Sequence, residues 1–166
     1  MADYVMDTDG EYGKYIVQSL RISEEVQAKS EYMQIYKTWA NRLIVMGDKV
    51  VPGAFAMNTS WYHSASDMRP LYAHEEHVHD FDEMIGFIGS NPDDPYDLGG
   101  VIEIGINGEL HRLTKTSIIF MPGGVKHLPL SIIELHRPIF HFSISMSSTY
   151  GLTRIPEEES TKPSKD

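Results

Sequence analysis

The chain contains no cysteine, which removes disulfide frameworks, thiolate metal sites and a cysteine nucleophile in one step. Any metal it holds must sit on histidine, carboxylate or backbone oxygen, a donor set for borderline to hard ions. Positive charge is scarce as well: 14 Lys and Arg against 24 Asp and Glu give a net charge of −10 and a pI near 5.2. Phosphate-rich surfaces are repelled by such a chain, so neither nucleic acid nor an anionic membrane is an expected partner. A small anionic substrate stays open, because one local site can reverse the global sign. No apolar run approaches the roughly 18 residues that span a bilayer. The opening "MADYVMDTDG" lacks the basic segment and apolar core of a signal peptide. The expectation is a soluble, cytoplasmic protein.

With 166 residues, 41% of them hydrophobic, the chain can bury one sizeable core as one domain. Residues 1–41 differ from the rest of the chain. After a short predicted strand in "KYIVQSLRI", Ser23 and Ser30 are helix-cap candidates. "SEYMQIYKTWANR" then sets Tyr32, Ile35, Tyr36 and Trp39 at i, i+3, i+4 and i+7, one apolar face of a helix. Such a stripe is either a cofactor box or, as is far commoner, a helix face packed on the core or on a partner subunit. From residue 42 to 150 the period changes. "RLIVM", "GAFAMNTSWY", "EMIGFIG", "GVIEIGI", "ELHRLT", "SIIFM" and "IFHFSIS" are short β-rich segments punctuated by Gly, Pro, Asn or Asp. Asn107-Gly108 between alternating segments predicts a type I′ hairpin turn. Many short strands at close spacing indicate an antiparallel barrel or sandwich. "SNPDDPYDLGG" is a long connection, a surface loop or the rim of a site. Residues 151–166, "GLTRIPEEESTKPSKD", are charged and poor in apolar residues, so a disordered tail is expected.

The chemistry concentrates in "HEEHVHDFDE", where His74 to Glu83 hold three histidines and five carboxylates. On a strand, residues two apart share a side about 7 Å apart. His77 and His79 can therefore converge on one ion, at about 2.0–2.1 Å from each ring nitrogen. Glu83 has the right parity but lies roughly 13 Å further along a straight strand. It joins only if the chain reverses at Asp80-Phe81-Asp82 and returns it on the adjacent antiparallel strand; Asx side chains suit such a turn. A fourth ligand comes from "FMPGGVKHLPL": Pro122, Gly123 and Gly124 make a tight turn, and His127 opens the next segment.

His77-x-His79-x3-Glu83 followed by Pro122-x-Gly124-x2-His127 resembles the two metal motifs of the cupin superfamily. The resemblance covers approximately Arg42 to Tyr150. It implies an all-β fold, an antiparallel β-barrel or jelly roll (the cupin-like double-stranded β-helix), here preceded by an N-terminal α-helix. It also implies that His77, His79, Glu83 and His127 are the metal ligands. Leu71 and Thr116 depart from the glycines that usually open the motifs, Ser131 replaces the usual Asn, and Gly89 falls one position early. These are turn and strand-entry positions, and all four ligands are intact. The opposing reading is a surface cluster whose histidines merely satisfy polar groups; it leaves the Pro-Gly-Gly turn before His127 unexplained.

Other residues carry weaker arguments. His74, Glu75, Glu76, Asp80 and Asp82 flank the ligands as solvated groups, or one of them accepts a hydrogen bond from a ligand imidazole. His141 alternates with Phe140 and Phe142. If the phenylalanines pack outside, His141 faces the cavity as a catalytic acid or base; otherwise it is a satisfied structural histidine. His111 allows the same two readings. Trp61, Tyr62 and Tyr72 are barrel core or the wall of a pocket for a planar substrate. His63 and His136 suggest nothing beyond polarity.

Three histidines and a carboxylate bind one divalent transition metal, Fe, Mn, Ni, Zn or Cu, and leave positions open. An open-position metal can present a bound substrate to dioxygen, act as a Lewis acid, or activate water. The resemblance favours a dioxygenase-type oxidoreductase acting on a small oxygenated or aromatic molecule. A sugar or organic-acid isomerase or decarboxylase is the close competitor, and a non-enzymatic binding module with a structural metal is the third class. No basic patch or helix-turn-helix supports a regulator of transcription. The family is often dimeric, so a homodimer is expected.

Overall fold

Ser23 and Ser30 each accept a hydrogen bond from a backbone N–H three residues on, from Val26 and Met33, and so cap two short helices, α1 (Glu24–Lys29) and α2 (Glu31–Tyr36). In the computed structural model, which describes residues 7–67 and 76–147, this pair replaces the single longer helix expected. α2 stops at Tyr36 because the Thr38 hydroxyl and N–H both turn back to the Ile35 carbonyl, at 2.7 and 3.0 Å. Trp39 therefore lies in the turn beyond the helix. Tyr36 and Trp39 nonetheless face the same way, 4% and 2% exposed in this chain's own core. "KYIVQSLRI" does not form the predicted strand. Gly13–Tyr15 make a 3-10 turn. The Gln18 N–H, which a ladder would use, goes to the Asp7 carboxylate at 2.6 Å.

The apolar segments C-terminal to α2 form β1 (Ala40–Met46), β2 (Ala56–Tyr62), β3 (Ser66–Asp67), β4 (Glu83–Gly89), β5 (Asp97–Ile106), β6 (Glu109–Lys115), β7 (Ser117–Met121), β8 (His127–Leu135) and β9 (Ile139–Ser145). Asn107 and Gly108 take φ angles of 48° and 84° and join β5 to β6. Two successive positive values are the type I′ signature predicted for this turn. Pairing is nested: β2 with β9, β3 with β8, β4 with β7, β5 with β6, all antiparallel. A chain paired like one long hairpin and then rolled into two sheets is a jelly roll. The sheets run β1-β2-β9-β4-β7 and β3-β8-β5-β6. No ladder joins one to the other among the described residues, so the barrel is two facing sheets rather than a closed cylinder.

The core fills the space between them. Tyr62, Ile85, Phe87 and Ile139 of the five-stranded sheet meet Leu98, Ile102, Ile104, Leu130 and Ile132 of the four-stranded one, with Tyr36 and Trp39 closing the side. Burying each such side chain contributes roughly 1.5–3 kcal/mol. Among the described residues no helix is long and apolar enough to cross a membrane.

Candidate metal centre

The two motifs are hydrogen-bonded to each other through their backbones. The His77 N–H donates to the His127 carbonyl and the His127 N–H to the His77 carbonyl, both at 3.0 Å. The Pro122-Gly123-Gly124 turn docks beside them: the Gly124 N–H donates to the His79 carbonyl at 2.7 Å and the Gly123 N–H to the Asp82 carboxylate at 2.9 Å. Val125 N–H closes the turn on the Pro122 carbonyl at 3.2 Å. Gly124 sits at φ 84°, the left-handed region that a turn of this kind demands at its third residue.

A bulge aims His127. On β8, Leu128, Leu130 and Ile132 face the core, so strict alternation would turn His127 outward. Between Ile104–Leu130 and Ile106–His127 the register slips, and β8 spends one residue more than β5. Leu128 takes φ 71° there, and both Leu128 and His127 end up buried. Re-aiming a side chain is a recurrent use of bulges beside functional sites. Gly105 lies opposite: a Cβ there would stand 2.7 Å from the Leu128 carbonyl oxygen.

The result is a tight set. His77, His79 and His127 are all buried, and one nitrogen from each lies within 4.8 Å of the others. Glu83 opens β4 and is 3% exposed. Its Oε2 lies 3.3 Å from His127 Nε2 and 3.7 Å from His79 Nε2. The route differs from the expected one. Glu83 does not return on the strand adjacent to His77. At Asp80-Phe81-Asp82 the chain crosses from β8, where His77 is bridged, to the facing sheet, where Glu83 pairs with Met121 and Ser145. A straight strand would leave it roughly 13 Å away, and the crossing brings it back across the gap between sheets.

Local chemistry fits a cation. His127 Nδ1 lies 3.0 Å from the Val125 carbonyl. A carbonyl only accepts, so Nδ1 carries the proton and Nε2 presents a lone pair, the form in which histidine binds metal. Among the described residues, His127 Nε2 and Glu83 Oε2 are buried without a hydrogen-bond partner, which costs roughly 1–3 kcal/mol for each group. A divalent ion satisfies an imidazole lone pair and a carboxylate oxygen together. Phe81 stacks on the His79 ring at 4.5 Å and 13°, fixing its plane.

Other sequence candidates fall elsewhere. His141 does lie on the inner face, as Phe140 and Phe142 point outward. It pairs with Phe87, four residues along β4 from Glu83 and so about 13 Å away. Its ring stacks between Tyr62 and Phe87 at 5.0 and 5.2 Å, and Nδ1–H donates to the Gly86 carbonyl at 3.1 Å. Tyr62 is core, and burial drives its phenol well above the ordinary tyrosine range. Trp61 packs on Phe140 at 5.4 Å on the outer side. His63, His111 and His136 are exposed, as are Glu76, Asp80 and Asp82. Tyr72, His74 and Glu75 lie outside the described residues. The Val125 carbonyl and the docking role of Asp82 were not visible in the sequence. For Asp82 the sequence signal was its place in the Asx-rich turn before Glu83; for the Val125 carbonyl there was none.

No family model and no curated protein matches the chain. Solved structures do. KdgF from Halomonas sp. is 12% identical, with 65% of this chain and 78% of that one covered and a TM-score of 0.39. A recombinant oxalate oxidase in complex with glycolate is 12% identical, with 89% and 65% covered and a TM-score of 0.49. A cupin superfamily protein from Desulfitobacterium hafniense is 8% identical, with 64% and 73% covered and a TM-score of 0.40. What assigns this chain a jelly roll is its own nested strand pairing, with the two histidine-bearing segments meeting at one end of it.

Proposed function

We propose that His77, His79, Glu83 and His127 hold one divalent transition metal, and that the protein uses it in a dioxygenase-type oxidation of a small oxygenated molecule. The observation that carries the reading is the buried set itself: three imidazoles within 4.8 Å and a carboxylate oxygen with no other partner. A thiolate-free set of this kind suits Fe, Mn, Ni or Cu as well as Zn. When bound, such an ion supplies open coordination positions, Lewis acidity and, for the redox-active metals, electron transfer.

The chain's own residues define what meets it. Glu83 supplies the negative charge of the set, and Val125 keeps the His127 lone pair inward. By register, Ser145, Ser143, Asn58 and Arg42 occupy inward positions moving away from Glu83 across β9, β2 and β1. Arg42 donates to Asn58 at 3.1 Å, and its guanidinium lies over the Tyr32 and Tyr36 rings at 5.6 and 5.4 Å, on the α2 side. Hydroxyl and amide groups on the inner face beside Glu83 support a hydroxylated substrate over an apolar one.

Protein purified without chelator is tested by element analysis and then with an oxygen electrode against small hydroxy acids, oxo acids and aromatic diols. Oxygen uptake matching substrate loss, abolished by chelation, is the expected result. Turnover that proceeds unchanged without oxygen replaces the dioxygenase-type reading with isomerase or decarboxylase chemistry. Full metal occupancy in His127→Ala removes the site.

A further inference from the structure

In a chain with 24 acidic and 14 basic residues, an arginine is expected to find a carboxylate. Arg21 holds Asp7, Arg112 holds Glu103 and Arg137 holds Asp97. Arg42, the remaining arginine among the described residues, holds none. It is half-buried. One terminal nitrogen lies 3.1 Å from the Asn58 side-chain oxygen and the other 3.6 Å from the Met33 sulfur, with the Tyr32 and Tyr36 rings beneath the fork. Its Nε is buried with no partner among the described residues. Aromatic faces offset part of the cost of drying a cation. A guanidinium nevertheless has five N–H donors, and here several of them, and the charge itself, go unmatched. Arg42 lines a cleft of about 280 Å³ between the helix pair and β1. By register it pairs with Ser60, so that it stands three strands across and four residues along from Glu83, roughly 19 Å away. The cleft is therefore not the metal cavity.

The walls of this cleft carry opposite chemistry. Arg42 on β1 and Lys37 at the C-cap of α2 supply positive charge, and Lys37 too makes no ion pair among the described residues. Glu24 and Gln27 on α1 and Gln34 on α2 supply acceptors. Gln27 and Gln34 turn their Nε2 groups to the Ile22 and Gln27 carbonyls, at 2.6 and 2.9 Å. Each side-chain oxygen is left as an acceptor with no partner among the described residues. We infer that the cleft binds a free α-amino acid, its carboxylate on Arg42 and Lys37 and its ammonium on Glu24 and the two glutamine oxygens. A simple anion would meet Glu24, and a simple amine would meet Arg42; a zwitterion satisfies both walls. An arginine fork matches a carboxylate with two parallel hydrogen bonds. Size agrees, because drug-sized ligands take roughly 300–1,000 Å³ and this cleft falls just short of that. Leu20 and Met33 in its lining favour a neutral side chain. The walls are also held in place before any ligand arrives. Ser23 and Ser30 cap the helices, and the Tyr36 hydroxyl lies 2.5 Å from that of Ser60, so little order has to be created on binding.

Titration calorimetry of the protein as purified tests this with L-leucine and L-methionine. The comparison compounds are 4-methylpentanoate and 3-methylbutylamine, which are leucine without its ammonium and without its carboxylate. At least one amino acid is expected to bind with a dissociation constant below about 1 mM, and each truncated compound roughly 10–100-fold more weakly than leucine. Arg42→Gln and Glu24→Gln should each weaken amino-acid binding by a similar factor, with far-ultraviolet dichroism unchanged. Glu24 is exposed, so Glu24→Gln keeps the test open if Arg42→Gln fails to fold. Chelator-treated protein should bind the amino acid as well as untreated protein does, which separates this cleft from the metal set and from the reaction proposed there. No binding of either amino acid, equal binding of a truncated compound, indifference to Glu24→Gln, or binding lost on chelation overturns the inference.

Discussion

Glu83→Gln separates a ligand from a structural carboxylate, because the two roles predict opposite signs. Glu83 is 3% exposed and its Oε2 has no hydrogen-bond partner among the described residues. In metal-free protein it is a buried acceptor whose desolvation nothing offsets fully, at roughly 1–3 kcal/mol. Glutamine keeps the shape and removes the charge. Metal-free Glu83→Gln should therefore be more stable than wild type by about 1–3 kcal/mol. For a chain of this size that raises the melting temperature by on the order of 5 °C. With metal the order reverses. Altering a group that only orients a ligand already costs about 10–100-fold in affinity, so losing a ligand should cost more than roughly 100-fold. At a concentration 100 times the wild-type dissociation constant, metal stabilises wild type by about 2.7 kcal/mol and the variant by less than about 0.4 kcal/mol. Calorimetric melts at pH 8, in chelator and then in added Mn or Zn, read both numbers. A variant that melts lower than wild type in chelator, or that keeps the full metal-induced rise, refutes the reasoning.

His77→Ala and His127→Ala should each abolish most bound metal by element analysis. His63→Ala should leave it intact, since that ring is exposed and bonded to the Ser64 hydroxyl at 3.0 Å. Gly124→Ala meets nothing within 4 Å, so its cost is conformational only. About 1–2 kcal/mol for φ 84° should appear as a fall in the melting temperature, partly recovered by Gly124→Asn. Burial raises the Tyr36 and Tyr62 phenols above 10.0. The folded state then holds these protons more tightly than the unfolded state. Their contribution is complete below about pH 10 and is lost as pH rises through the folded values. Denaturant midpoints measured from pH 8 to 11 should fall at the alkaline end, and Tyr62→Phe should flatten that fall.

Local chemistry made much of the fold legible. Ser23 and Ser30 cap because a side-chain oxygen three residues before a free N–H is a local arrangement. Asn107-Gly108 turns because its φ values are local too. The failures are cases where a distant group competed. Asp7 takes the N–H that "KYIVQSLRI" needed for a ladder, and Thr38 unwinds the helix that the spacing to Trp39 implied. In the site, the four candidate residues and their spacing were readable. The crossing that brings Glu83 over from the facing sheet was not, because it depends on which sheet each strand joins.

The bulge in β8 marks the boundary between what spacing can decide and what it cannot. Alternation alone makes either Leu128 or His127 inward, and nothing in "KHLPL" chooses both. The choice is made across the sheet by Gly105, whose missing side chain leaves room for the displaced Leu128 carbonyl. The same alternation, left undisturbed on β4 and β9, explains why site and surface are linked. Placing Glu83 and Ser145 inward obliges Met84 and Ile144 to point outward. Any sequence that sets polar groups inward at these positions must either carry polar residues on both faces of the strands or leave an apolar face outward. This chain takes the second course: Met84, Ile118 and Phe120 stand exposed on the face behind Glu83.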